Sequence, residues 1–236
     1  MAKPQITKAK KANVSKKSTQ KFAEGICFKK LFFIFVIGCI FGCIYETLLT
    51  LARSIIFDGH PVWIGRSGLL YGQLNPIYGF GAVLMVYFLT LRNFKWWQIF
   101  LLGGLIGGIF EYLMGIGQEF FTGTSSWDYS SHFLNIGGKT SLYIMVVWGL
   151  VCLFLMKIVY PFTNNLIEKI PPKVGDIVFW VLLVFIILDI IISFSAVIRM
   201  NLRRHGTPAF TPYGQFLDTV YTDERIHRSY TNMENI

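Results

Sequence analysis

LFFIFVIGCIFGCIYETLLTL (31–51) is an apolar run with a single acidic residue, Glu46, placed well inside it. A hydrocarbon core of roughly 30 Å takes about 20 helical residues to cross, so this run reads as a transmembrane helix. Gly38, Gly42 and Glu46 follow one another at intervals of four, which puts all three on one helix face. The same ladder returns 65 residues later as Gly103, Gly107 and Glu111 in LGGLIGGIFEYLM (102–114). A carboxylate at membrane depth is expensive and is kept for a partner or a function.

The rest of the chain is of the same kind. Of 236 residues, 53% are hydrophobic, 17% aromatic and 15% charged, and the mean hydropathy is +0.51, too apolar for an ordinary soluble domain. Runs of spanning length begin near Leu31, Ile77, Trp97, Ser141 and Ile177. The reading is an all-α, polytopic helical membrane protein with about five transmembrane helices. A transmembrane barrel would instead need many short stretches of alternating polarity. The organisation expected is a disordered Lys-rich cytoplasmic segment (1–28), a four-helix core (29–160), a fifth transmembrane helix (177–198) and a polar C-terminal tail (199–236).

Charge sets the orientation. Nine lysines fall in the first 30 positions, in a polar, unpatterned segment that reads as a cytoplasmic flank rather than a nucleic-acid-binding arm. With that end inside, Arg92, Lys95, Lys157, Lys169 and Lys173 are inside too, whereas the outer loops of the core carry Arg53, Arg66 and Lys139. The excess of basic residues inside fits the positive-inside rule and predicts a multi-pass cell-membrane protein with a cytoplasmic N-terminus. An odd helix count sends Arg199, Arg203 and Arg204 outside, against the rule, so the side of the tail stays open. Cys27, Cys39, Cys43 and Cys152 form no disulfide or zinc pattern. Trp63, Trp96, Trp97 and Trp127 lie near helix ends, as interfacial aromatics do.

The ladders belong to a longer repeat. Each glutamate helix is followed by an outer loop with a tryptophan (Trp63 or Trp127) and a basic residue (Arg66 or Lys139). A helix bearing Tyr78-Gly79 or Trp148-Gly149 then returns. The first four helices therefore read as a tandem two-helix repeat, about 31–91 and 97–160. A two-helix unit brings the chain back to the same side, so the copies share one orientation about an axis near the membrane normal. From Lys30 to Glu46 is about 24 Å and from Trp97 to Glu111 about 21 Å at roughly 1.5 Å per residue. Both glutamates fall in the outer half, within reach of Arg66 and Lys139. Glycines spaced by four allow close helix approach in lipid, so Gly38, Gly42, Gly103 and Gly107 mark the packed faces.

GRSGLLYGQLNPIYGFG (65–81) concentrates Gly68, Gly72, Pro76 and Gly79 beside Arg66, Gln73 and Asn75. It reads either as unwound backbone at membrane depth, which persists only when buried in protein or lining water, or as an outer loop with a Pro-started helix. SSWDYSSHFLNIGGKTS (125–141) is the matching loop, where Asp128 and Lys139 either pair or face a substrate. Gly138-Lys139-Thr140 ends like a phosphate-binding loop but lacks the earlier glycine and the strand-to-helix context. Asp189, one turn before Ser193 in the fifth run, would cost roughly 2.5–3.5 kcal/mol if charged and unpaired; a structural hydrogen bond and a proton relay are both open. His60, His132, His205 and His227 have no metal-ligand spacing, and no metal or cofactor is expected.

Gly42, Glu46, RSGLLYGQLNPIYGFG (66–81), Glu111-Tyr112, Glu119, Trp127-Asp128-Tyr129-Ser130, Asn135 and Gly138 together resemble the bacterial family called Putative ABC-transporter type IV, or CmpB-like permeases, over about residues 31–160. The resemblance implies a multi-pass bacterial membrane protein concerned with transport. Glu46, Arg66, Tyr71, Pro76, Tyr78, Gly79, Glu111, Trp127, Asp128 and Asn135 fall on the family pattern, which assigns them no catalytic role. With no ATPase motif in this chain, any ATP drive would come from a separate ATP-binding subunit.

The expectation is thus a transporter or permease-like protein whose outer-half pathway is lined by Glu46, Arg66, Tyr71, Tyr78, Glu111, Glu119, Asp128, Asn135 and Lys139. Two alternatives stand beside it. One is a membrane enzyme acting on a lipid or lipid-linked substrate, against which no nucleophile or metal motif is found; the other is a non-catalytic scaffold whose Glu/Arg and Glu/Lys pairs fix helix register. Partners are the lipid bilayer and further copies of the chain; nucleic acid is not among them.

Overall fold

The computed structural model describes residues 21–235, and it is 70% helical and 3% strand. Helix α1 (Phe28–Arg53) runs on through a π turn, Ser54–Asp58, and stops at Gly59, whose φ of 72° is a left-handed helix end. Helix α2 (Pro76–Thr90) begins on the proline that cannot continue any preceding helix. Helix α3 (Trp96–Thr122) ends at Gly123, φ 61°. Helices α4 (Leu142–Phe154) and α5 (Tyr160–Lys169) are joined by a second π turn, Leu155–Val159, and α6 (Pro172–Arg204) follows after a two-residue break. Two short helices, α7 (Pro212–Val220) and α8 (Asp223–Ser229), make up the tail.

Among the described residues four helices are long and apolar enough to cross a membrane: Phe28–Asp58, Trp96–Thr122, Leu142–Lys169 and Pro172–Arg204. The run from Ile77 differs from expectation. Its helix α2 has 15 residues, about 22 Å at roughly 1.5 Å per residue, because the chain before Pro76 is irregular rather than helical. Exposed Leu101, Leu105, Ile109 and Leu113 form a stripe at intervals of four on α3, and Ile177, Val181, Val184, Leu188 and Ile191 form another on α6. Continuous apolar stripes of this length suit a lipid surface.

The closest helix pairs are α1 with α2 and α3 with α4. A Cβ placed on Gly79 would lie 2.7 Å from the Phe35 carbonyl oxygen, and one on Gly149 would lie 2.7 Å from that of Phe100. Gly42 is covered by the ring of Tyr78 and Gly107 by that of Trp148; Gly38 abuts Ala82 and Gly103 abuts Cys152. Only hydrogen at these positions lets the backbones meet.

At one end of the bundle, residues 21–27 pack instead of continuing the expected disordered segment. Phe22 is buried on Gly175, Lys21 pairs with Glu168, and Lys29 pairs with Asp176. Lys30, 1% exposed, is held by Glu168 and Asn164. The remainder of that segment, residues 1–20, lies outside the described residues. At the other end the tail folds into a cap. Arg199 makes a bidentate pair with Asp218, at 2.8 Å on both oxygens, and Arg203 one turn on reaches Asp218 and Asp223. Strand β1 (Thr124–Ser125) pairs antiparallel with β4 (Glu234–Asn235), tying the end of the chain to the loop after α3. A second two-residue pairing, β2 (Asn135–Ile136) with β3 (Thr140–Ser141), shapes that loop.

Candidate functional site

Glu46 stands on the α1 face that meets α2. Its Oε1 accepts a hydrogen bond of 3.1 Å from Asn75 Nδ2, and the Tyr78 hydroxyl faces the same carboxylate. Asn75 is itself fixed, since its backbone N–H donates to the Cys39 carbonyl at 3.1 Å. The loop before α2 is thereby threaded down against α1.

Glu111, 7% exposed, lies on α3 four residues after Gly107, as Glu46 lies four after Gly42 on α1. It accepts from the Tyr129 hydroxyl at 3.0 Å, from Trp148 Nε1 at 3.2 Å and from Thr140 Oγ1 at 3.4 Å. Every donor is neutral. Burial and the adjacent Glu111 carboxylate push the Tyr129 phenol well above its ordinary value, so Tyr129 keeps its proton and stays a donor.

The two glutamate pockets adjoin. Tyr78 and Trp148, which cover the two glycine steps, have ring centroids 6.0 Å apart, and Tyr45 lies 6.1 Å from Tyr78 on the other side. Tyr129 is close enough to both glutamates to feel each charge. The result is two carboxylates in a wall of tyrosine and tryptophan.

The basic residues expected at these carboxylates make no salt bridge with them, although Arg66 lies near enough for its charge to act on Glu46. Arg66 donates its backbone N–H to Thr47 Oγ1 at 3.2 Å, Nε to Thr50 Oγ1 at 3.1 Å and Nη1 to Thr231 Oγ1 at 2.9 Å. Lys139 pairs with Glu119, not with Glu111 or Asp128. Among the described residues no salt bridge involves Glu46 or Glu111. The scaffold alternative's Glu/Arg and Glu/Lys pairs are therefore not formed at either position.

The other expected residues are placed apart from the carboxylates. Asp128 accepts from the Ser130 hydroxyl at 2.6 Å and the Ser130 N–H at 2.9 Å, which hold its carboxyl below the usual range. Asn135 braces the same loop through the Ser130 and His132 carbonyls. The Tyr71 hydroxyl meets that of Tyr221 at 2.7 Å, on the tail. Asn75, Tyr129, Thr140 and Trp148 donate to the glutamates but are not among the expected pathway residues. Trp148 was within reach, because it stands before Gly149 as Tyr78 stands before Gly79.

No group of three or more His, Cys, Asp or Glu suited to a metal ion occurs among the described residues. What the arrangement offers is hydrogen-bonded carboxylates and aromatic faces at membrane depth. Fold and site together define a multi-pass helical membrane protein of transporter-like type. The family model described as Putative ABC-transporter type IV matches residues 33–194, and the chain belongs to that family. The match extends beyond the 31–160 expected, taking in most of α6. No curated protein and no solved structure matches the chain.

Proposed function

We propose that Glu46 and Glu111 frame the passage site of a membrane transporter component and that the site takes a cationic cargo. One observation carries the reading: both carboxylates are met by neutral donors and aromatic rings, while Arg66 and Lys139 form a salt bridge with neither. A cation in such a place gains attraction to the carboxylates and to the ring faces together. Family membership supports the transport role.

The α1–α2 and α3–α4 pairs are two copies of one unit, related about an axis near the membrane normal. The recurrence of Gly–aromatic and Gly–carbonyl contacts at corresponding places supports this. Helix α2 with the irregular segment before it completes a fifth crossing, which puts the lysine-rich N-terminus in the cytoplasm and the tail cap outside. ATP hydrolysis, where it drives transport, belongs to a separate subunit.

The test uses purified protein in proteoliposomes on a solid-supported membrane, challenged with concentration jumps of small organic and inorganic cations. A transient current in the wild type, reduced at least tenfold in Glu46→Gln and in Glu111→Gln with both variants monodisperse, supports the reading. Currents unchanged in both variants refute it. The three donors on Glu111 favour a second reading, in which the glutamates are structural hydrogen-bond acceptors. Loss of monodisperse protein in both Gln variants selects that reading.

A further inference from the structure

Asp189 lies outside the site just described and is the most deeply placed acid of α6. It is 17 residues from Pro172 and 15 from Arg204, about 25 Å and 22 Å at roughly 1.5 Å per residue, and it is 2% exposed. Its Oδ1 accepts the Ser193 hydroxyl at 3.0 Å and the Tyr71 N–H at 3.2 Å. Ser193 Oγ in turn accepts the Leu70 N–H at 2.9 Å. Among the described residues, Asp189 Oδ2 is the one buried side-chain oxygen or nitrogen without a hydrogen-bond partner, and none of the salt bridges reaches it.

The backbone that Asp189 and Ser193 hold is irregular. Ser67 Oγ donates within the turn formed by Leu69, Gly72 and Leu74, Gly72 has φ +72°, and Gly68 N–H donates to the Leu74 carbonyl at 2.9 Å. Irregular backbone beside a buried acid is how membrane carriers seat a coupling ion. The groups turned toward Asp189 identify which ion fits. Tyr71 presents its N–H and Ser193 its hydroxyl proton, with the Leu70 N–H behind Ser193 Oγ, whereas a metal cation needs oxygen acceptors. The titratable group facing the pair is Tyr230 from the tail; Arg225 stops at the Tyr71 hydroxyl and Arg66 at Thr231.

We propose that Asp189 is a proton-binding site, with the proton carried on Oδ2 while residues 67–75 are docked against α6. Proton release places an ionised oxygen in a dry position. That charge calls for water, and the irregular segment is the packed element that yields to admit it. The site stands independently of the cargo taken at Glu46 and Glu111.

Hydrogen exchange at the Leu70 and Tyr71 amides tests this in the full chain in lipid nanodiscs. Wild type and Asp189→Asn are compared at each pH, so that the intrinsic pH dependence of exchange cancels. The expected ratio of wild-type to variant rates climbs with pH, by up to about tenfold per unit for one linked proton. A ratio independent of pH overturns the proposal. So does protection that depends on sodium, with choline as replacement, in wild type but not in Asp189→Asn, because the ligand is then a metal cation. Should the Asn chain not accumulate, infrared spectra of the wild type decide. A protonated-carboxyl stretch lost in step with amide protection supports the site, and a stretch that does not change with protection overturns it.

Discussion

Two identical substitutions on α3 separate helix packing from helix propensity. A Cβ on Gly104 would lie 2.6 Å from the Met145 carbonyl oxygen, about 0.8 Å inside an ordinary contact of 3.4 Å, and one on Gly117 meets nothing within 4 Å. Gly→Ala in a helix interior contributes up to about 1 kcal/mol of stability through propensity. That gain is common to both sites and cancels in their difference. What remains is overpacking, about 1–3 kcal/mol, unrelieved here because the obstacle is backbone and cannot rotate away. Gly104→Ala is thus expected to be less stable than Gly117→Ala by about 2 kcal/mol, roughly thirtyfold in the folded-to-unfolded ratio. Reversible unfolding in mixed micelles of mild detergent and dodecyl sulfate, followed by tryptophan fluorescence, measures it. Equal stabilities within about 0.5 kcal/mol would refute the close α3–α4 approach that sets Trp148 over Glu111.

Tyr129→Phe removes the one donor to Glu111 Oε1 and is expected to cost about 1 kcal/mol in the same unfolding assay, with no change in helix content by circular dichroism. The tail cap should be acid-labile. The Arg199 bond, joined by that from Arg203, holds the Asp218 carboxyl below its ordinary range against the opposing effect of burial. A depressed folded-state value stabilises the cap above the unfolded value near pH 4, and that contribution is lost as pH falls through the folded value. Limited proteolysis after α6 should accelerate below about pH 4 in wild type, whereas Asp218→Asn should be cut at one rate across that range.

The paired glutamates were legible because a spacing of four fixes a helix face whatever the helix packs against. Their partners were not, and Arg66 and Lys139 show why. Both follow a glutamate helix in sequence, so pairing with that glutamate looked natural. Yet Arg66 runs along Thr47 and Thr50, the latter one turn beyond Glu46. Lys139 lays its stem across Gly115 and ends on Glu119, two turns beyond Glu111. Each cation overshoots its acid toward the end of the helix, where water lowers the cost of its charge. The donors that do reach the acids come from Asn75, Tyr78, Tyr129, Thr140 and Trp148, uncharged residues that no charge pattern singles out. The cap was illegible for another reason: Arg199 and Asp218 identify each other only once α7 has folded back along α6.

The two glutamates end ladders of the same spacing, but the segments that close over them are held differently. The loop above Glu111 supports itself: Trp127 Nε1 donates to the Lys139 carbonyl at 3.0 Å, Tyr129 N–H to that of Gly138 at 2.8 Å, and Asn135 to two further carbonyls. It can tilt as a unit without losing internal bonds. The segment before α2 depends on its neighbours, since the Leu70 and Tyr71 amides are satisfied by side chains of α6 and the Tyr71 ring by the tail. Local opening is easiest where bonds are few and water can replace them. The Glu46 side is therefore the one latched to the rest of the bundle, by Asp189, Ser193 and Tyr221, and it moves only when those bonds open, whereas the loop above Glu111 keeps its internal bonds when it tilts.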